Sequence, residues 1–267
     1  MLILLSKEFN ASLLIKDGNR QFGLDYNIYD GSRHSGVSIK MIQGDSVKVI
    51  QQVQGKVNEL VWNGKTLAWV ETHKETTRLC QVRFDQNNQP LNSTNLCFKT
   101  YKQPTLVKAV GRDQSQKNSN HTRALFLRIQ KQTLKGDVYS LLRWDIDSQK
   151  ISQIPNTNFN DPRAVVALPS YLWVVSGERS SQKLRQINFA GACLGEINYA
   201  DYIVDAWGQA DGSLFLRTRT GEADYVVSVP KGNLFGKACS RATSHISPML
   251  AQMRSNKNLT LKESFAQ

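Results

Sequence analysis

The sequence lacks a long hydrophobic run. Its longest N-terminal apolar stretch, Met1-Leu-Ile-Leu-Leu5, is cut off by Ser6-Lys7-Glu8, far short of the roughly 18 residues that a spanning helix needs. It is also too short for a secretion signal. No membrane span is expected within the chain. Either the protein works where it is made, or an export or anchor segment lies outside this reading frame. Amphipathic helix periodicity is nearly absent as well, which points away from helical folds.

Cysteine and histidine are few. The four cysteines, Cys80, Cys97, Cys193 and Cys239, form no CxxC pair, and His34, His73, His121 and His245 are scattered with no HxxxH. That spacing offers no metal-ligand cluster. Gly191-Ala-Cys-Leu-Gly195 has no Lys-Ser/Thr after it, so there is no phosphate-cradling loop. Ser35-Gly36 and Ser176-Gly177 lack the G-x-S-x-G context of a strained nucleophile. No cofactor is expected, and neither nucleotide hydrolysis nor serine catalysis has a sequence basis.

What the 267 residues do contain is short β-rich segments, separated by Gly, Asn, Asp, Pro and Ser clusters. Thr66-Leu-Ala-Trp-Val-Glu71 pairs with Arg78-Leu-Cys-Gln-Val-Arg-Phe84, and Ser213-Leu-Phe-Leu-Arg-Thr218 with Asp224-Tyr-Val-Val-Ser-Val229, each reading as a hairpin. Comparable second strands start near Phe22, Thr66, Arg123, Tyr171 and Ser213, at intervals of 44, 57, 48 and 42 residues. Repeats of about 40–50 residues with about four strands each are the signature of propeller blades. The predicted fold is all-β: a five-bladed, or partial larger, β-propeller of four-stranded antiparallel blades over residues 1–246.

The innermost strands are predicted at Ser12 to Ile15, Val57 to Trp62, Thr105 to Val110, Ala164 to Leu168 and Ile203 to Trp207. Asn-Gly in Trp62-Asn-Gly-Lys65 and Asp-Gly in Ala210-Asp-Gly-Ser213 suit tight turns of positive φ. Met1 to Ser6 reads as a strand closing the last blade, or as the remnant of a blade in a larger propeller. The tail, residues 247–267, carries a short helix signal, with Ser247 as cap and Pro248 at the first position.

Val61-Trp-Asn-Gly-Lys-Thr-Leu-Ala-Trp-Val70 is the stretch in which these units most resemble β-propeller families of the Tol and Trp-Asp repeat type. Trp144-Asp145 is a single Trp-Asp dipeptide, and the Tol-type turn survives as Ala210-Asp-Gly212. The resemblance implies a platform for ligands or partners, including the extracytoplasmic sensory half of a membrane-anchored bacterial regulator, and so a periplasmic setting.

Net charge is +12, which favours an anionic ligand, an acidic protein or a nucleic acid as partner. Sorting loops by blade edge gathers Arg33, Lys56, Lys74, Lys99, Lys102, Lys131, Lys135, Arg163, Arg179, Lys183 and Arg219 on one face. Against them stand Asp30, Glu75, Asp161, Glu178, Asp201 and Glu222, while the opposite face balances. Arg33, Lys74, Lys102, Lys131, Arg163, Arg179 and Lys183 are therefore candidate ligand contacts. Trp62 and Trp207, which end inner strands, are candidate stacking surfaces.

Cys80, on a third strand, faces Cys97 near the fourth and is a candidate disulfide; Cys193 with Cys239 is the second candidate. A bridge implies an oxidising compartment. An alternative function is a carbohydrate-active enzyme using Glu59 and Asp205, the only carboxylates on inner strands, as an axial pair.

Overall fold

The computed structural model describes residues 14–27, 36–91, 96–103, 105–113, 121–134, 136–155, 162–168, 170–177, 182–199, 201–208 and 213–229. Every regular element among them is a β-strand. The first sheet runs in order through β1 (Ile15–Asp17), β2 (Arg20–Asn27), β3 (Gly36–Gln43) and β4 (Ser46–Val53). The second runs through β5 (Lys56–Trp62), β6 (Thr66–His73), β7 (Thr76–Arg83) and β8 (Cys97–Lys102). All pairings in these two four-stranded sheets are antiparallel.

Strand alternation explains the core between them. Phe22 and Leu24, Val37, Ile39 and Met41, Leu60 and Trp62, Leu67 and Trp69, and Cys80, Val82 and Phe84 form one buried cluster. These are alternate residues of their strands, which is what a pleated strand with one face on a core requires. Strand β6 goes further and is buried from Thr66 through Glu71, on both of its faces. Two connecting segments clip onto this unit. The Thr122 N–H donates to the Trp62 carbonyl at 2.7 Å, and Asn63 Nδ2 donates to Asp147 Oδ1 at 2.7 Å.

The second compact unit takes up the chain from Val110, apart from residues 119–123 and 146–150. It contains most of an eight-stranded sheet of β9 (Thr105–Asp113), β10 (Ala124–Thr133), β11 (Gly136–Asp145), β12 (Ile151–Gln153), β13 (Ala164–Ala167), β14 (Leu172–Ser176), β15 (Gln182–Ile187) and β16 (Cys193–Tyr199). Their spatial order is β12-β11-β10-β9-β13-β14-β15-β16. Strands β10–β12 and β13–β16 form two antiparallel groups, and β9 and β13 run parallel, Val165 opposite Gly111 and Val166 opposite Arg112. Gly111 permits this junction: a Cβ there would sit 1.9 Å from the Val165 carbonyl oxygen.

The last sheet holds β17 (Tyr202–Gly208), β18 (Leu214–Thr220) and β19 (Ala223–Val229), three strands among the described residues rather than the four expected of every blade. Its Leu214, Leu216, Val227 and Val229 share a core with Val166, Leu168, Trp173 and Leu184. The strands foreseen from sequence fall where expected to within a few residues. The N-terminal stretch Met1 to Ser6 and the tail from Ser247 lie outside the described residues.

Candidate functional site

Among the described residues, a group of polar and charged side chains gathers around Asp17, at the turn from β1 to β2. Asp17 Oδ2 accepts from Trp62 Nε1 at 2.7 Å and from the Arg20 guanidinium at 2.7 Å. Asp17 Oδ1 lies 3.3 Å from His121 Nε2. Arg20 spans the group: its guanidinium lies 5.1 Å over the Trp62 ring and donates to Asn88 Oδ1 at 2.5 Å.

Local sequence explains each placement. The Asp17-Gly18-Asn19-Arg20 turn has Gly18 at φ 59°, which brings Asp17 and Arg20 to the same end of the hairpin. Gly64, in the Asn-Gly turn after Trp62, leaves room for His121, whose Cε1 would be 2.9 Å from a Cβ at that position.

Burial by itself would raise the Asp17 carboxyl. The hydrogen bonds from Trp62 and His121 and the charge of Arg20 together outweigh it and hold the carboxyl below its ordinary value. A carboxylate orienting an imidazole is half of a nucleophilic triad. Among the described residues, the side chain that His121 meets by hydrogen bond is that of Asp17. The group ties the end of β5 to the end of β1.

Sequence reading singled out Trp62 from this group and missed Asp17, Arg20 and His121. Trp62 is 1% exposed, with its ring 4.7 Å from that of Phe22. That corrects its assignment as a stacking surface: the ring is core and its N–H is spent on Asp17. Trp207 is half-buried and stacked on Phe215, with centroids 5.8 Å apart.

The basic candidates sort by unit. In the first, Lys74 sits in the β6–β7 turn, and Lys102 ends β8 opposite Thr76, at the edge where β5 begins with Lys56. His73 Nδ1 to the Gln54 carbonyl, 3.1 Å, and Gln103 N–H to the Glu75 carbonyl, 3.1 Å, hold that edge together. Lys56, Lys74 and Lys102 are exposed and form no ion pair among the described residues.

In the second unit, Lys131 lies near the β10–β11 turn, and Arg163 donates its backbone N–H to Val175 at the end of β14. Lys183 stands opposite Ser176. Arg163, just before β13, and Lys183, opposite Ser176, fall at the same end of the antiparallel strands β13, β14 and β15. Lys183 is not a free charge there, since its Nζ lies 2.9 Å from Glu196 Oε1. Burial raises the Glu196 carboxyl, but hydrogen bonds from Lys183 and Arg185 overcome that and leave it lowered. Arg33 and Arg179 lie outside the described residues.

The two carboxylates of the enzymatic alternative belong to separate units. Glu59 is beside a bulge in β5, opposite Val70, and Asp205 is exposed beside a bulge in β17, opposite Arg217. Cys80 and Cys97 are joined as a disulfide between β7 and β8. Cys193 is disulfide-bonded as well, and Cys239, its expected partner, lies outside the described residues. Among the described residues no helix is long and apolar enough to cross a membrane.

No family model and no curated protein sequence matches this chain. Solved structures do. Prolyl oligopeptidase B from Galerina marginata aligns over 83% of this chain and 32% of its own, at 12% identity and TM-score 0.56. The β-propeller domain of the Trilobed protease from Pyrococcus furiosus aligns over 84% of this chain and 67% of its own, at 12% identity and TM-score 0.55. TolB from Acinetobacter baumannii matches more loosely, at 11% identity over 79% of this chain and 48% of its own, and its TM-score of 0.40 carries no argument. The chain spans about a third of the length of the prolyl oligopeptidase. At 12% identity the two closer likenesses speak to fold alone, and together with the antiparallel sheets they identify that fold as a β-propeller.

Proposed function

We propose that the chain is a non-enzymatic, five-bladed binding propeller that takes an anionic ligand or an acidic protein on one basic loop face. The five blades are β1–β4, β5–β8, β9–β12, β13–β16 and β17–β19, with the eight-stranded sheet divided at its parallel junction. The observation that carries the binding reading is the edge of the second sheet, where Lys56, Lys74 and Lys102 converge with Glu75 as the acidic residue in the turn beside them. Unpaired ammonium groups on short, well-braced turns attract an anion and hold its contacts in place. The Cys80–Cys97 bridge supports an extracytoplasmic setting, where such bonds persist.

The test is binding of a sulfated oligosaccharide and of an acidic peptide, by titration calorimetry at two salt concentrations. Lys74→Glu with Lys102→Glu is expected to weaken binding about tenfold or more, with the difference shrinking in high salt. Equal affinity for the variant and the parent overturns the assignment of this edge. A duplex DNA probe bound with a steep salt slope, and equally by the variant, identifies a nucleic-acid surface elsewhere.

A further inference from the structure

The second sheet holds a buried carboxylate beside its disulfide. Glu71 is 2% exposed. Its Oε2 accepts from Trp69 Nε1 at 2.8 Å, and its other oxygen pairs with the Arg78 guanidinium. That oxygen also lies 4.0 Å from Cys97 Sγ. The two cysteine sulfurs and a Glu71 oxygen all fall within 4.8 Å of one another.

We propose that Cys80, Cys97 and Glu71 form a redox-gated site for a thiophilic divalent cation such as Zn2+, closed while the disulfide stands and opened by its reduction. Disulfide sulfurs are neutral and poor ligands, whereas two thiolates with one carboxylate are a zinc ligand set that leaves the fourth tetrahedral position to water. A dithiol reductant breaks the Cys80–Cys97 bond, supplying two electrons and two protons and becoming a disulfide itself. Metal binding then releases both thiol protons to solvent.

The charges close. Two thiolates and the Glu71 carboxylate balance the dication and the Arg78 guanidinium, so the loaded site carries no net buried charge. The ladder from Thr76↔Lys102 to Leu79↔Lys99 holds β7 and β8 together without the covalent bond. Cys80 is fully buried, while Cys97 is half-buried on the edge strand β8, which gives an ion its way in. A cross-strand staple by itself gives no reason for a carboxylate here, since an apolar side chain at position 71 would pack on Trp69 with no charge to compensate.

The experiment titrates Co2+, then Zn2+ in competition, into the full chain before and after reduction by a phosphine, which takes oxygen from water to become the phosphine oxide while both thiols form. Expected is a near-ultraviolet thiolate-to-cobalt absorption in the reduced protein, absent from the oxidised one. The Cys97→Ser variant should bind one equivalent less than the parent. Glu71→Gln should weaken the site about tenfold or more. If that variant does not fold, Glu71→Asp, which keeps a charge for Arg78 but withdraws the ligand by one methylene, is read the same way. A reduced chain that shows no such absorption overturns the site. So does absorption unchanged in Cys97→Ser, or affinity unchanged in the position-71 variant.

Discussion

The indole of Trp62 donates its N–H to Asp17 Oδ2 at 2.7 Å across 45 residues of sequence, tying the end of β5 to the end of β1. The donor and the ring of this one side chain do separable things. Trp62→Phe keeps most of the apolar contact with Phe22 and Phe84 but removes the donor and part of the ring, and it is expected to lower unfolding free energy by about 2 kcal/mol. Trp62→Ala also opens a cavity and is expected to cost about 4 kcal/mol. Urea denaturation followed by circular dichroism separates the two.

Acid should weaken the same tie. The Asp17 carboxyl is held below its ordinary value, so the ionised form stabilises the fold at neutral pH. That contribution is fully present above the unfolded value of about 4 and is lost as pH falls through the lower folded value. The difference in urea midpoint between the wild type and Asp17→Asn should therefore be largest near neutrality and close as pH drops below about 4. Glu196, lowered in the same sense, should behave likewise in Glu196→Gln.

The Cys80–Cys97 bond closes a loop with a sequence separation of 17. Chain entropy alone makes such a crosslink worth about 3 kcal/mol. Cys97→Ser should lower the unfolding free energy by that amount in urea denaturation, and steepen the denaturant slope as the uncrosslinked denatured chain expands.

Gly111→Ala should be among the most damaging small substitutions in the second unit. The obstacle to the added methyl is the Val165 backbone, which cannot rotate away as a side chain can. A loss of about 3 kcal/mol is expected, with the β9–β13 pairing weakened. Gly18→Ala is the contrast, because nothing lies within 4 Å of its Cβ and only the φ of 59° is strained. It should cost about 1 kcal/mol. Thermal melts of the two variants rank them.

The sequence by itself determined the all-β class, the strand positions and the Asn63-Gly64 turn, because alternation and an Asn-Gly pair are local signals that a strand or turn carries within itself; Asp211-Gly212 lies outside the described residues. Inner strands read from Val57, Thr105, Ala164 and Ile203 lie within a few residues of β5, β9, β13 and β17. Cys80 opposite Cys97 was legible because both fall on strands consecutive in the sequence, and consecutive strands tend to pair.

Only the tertiary structure decided which distant side chains meet. His121 and Asp17 are 104 residues apart, and nothing local to either marks the other as its partner. Trp62 carried the pattern of a strand end facing a channel mouth, yet the donors and rings that surround it in space place it in the core. Lys183 counted as a free charge until β15 and β16 paired and brought Glu196 to it. Periodicity records which face of a strand is buried, but the identity of what covers that face is a non-local fact, written only when the sheets pack.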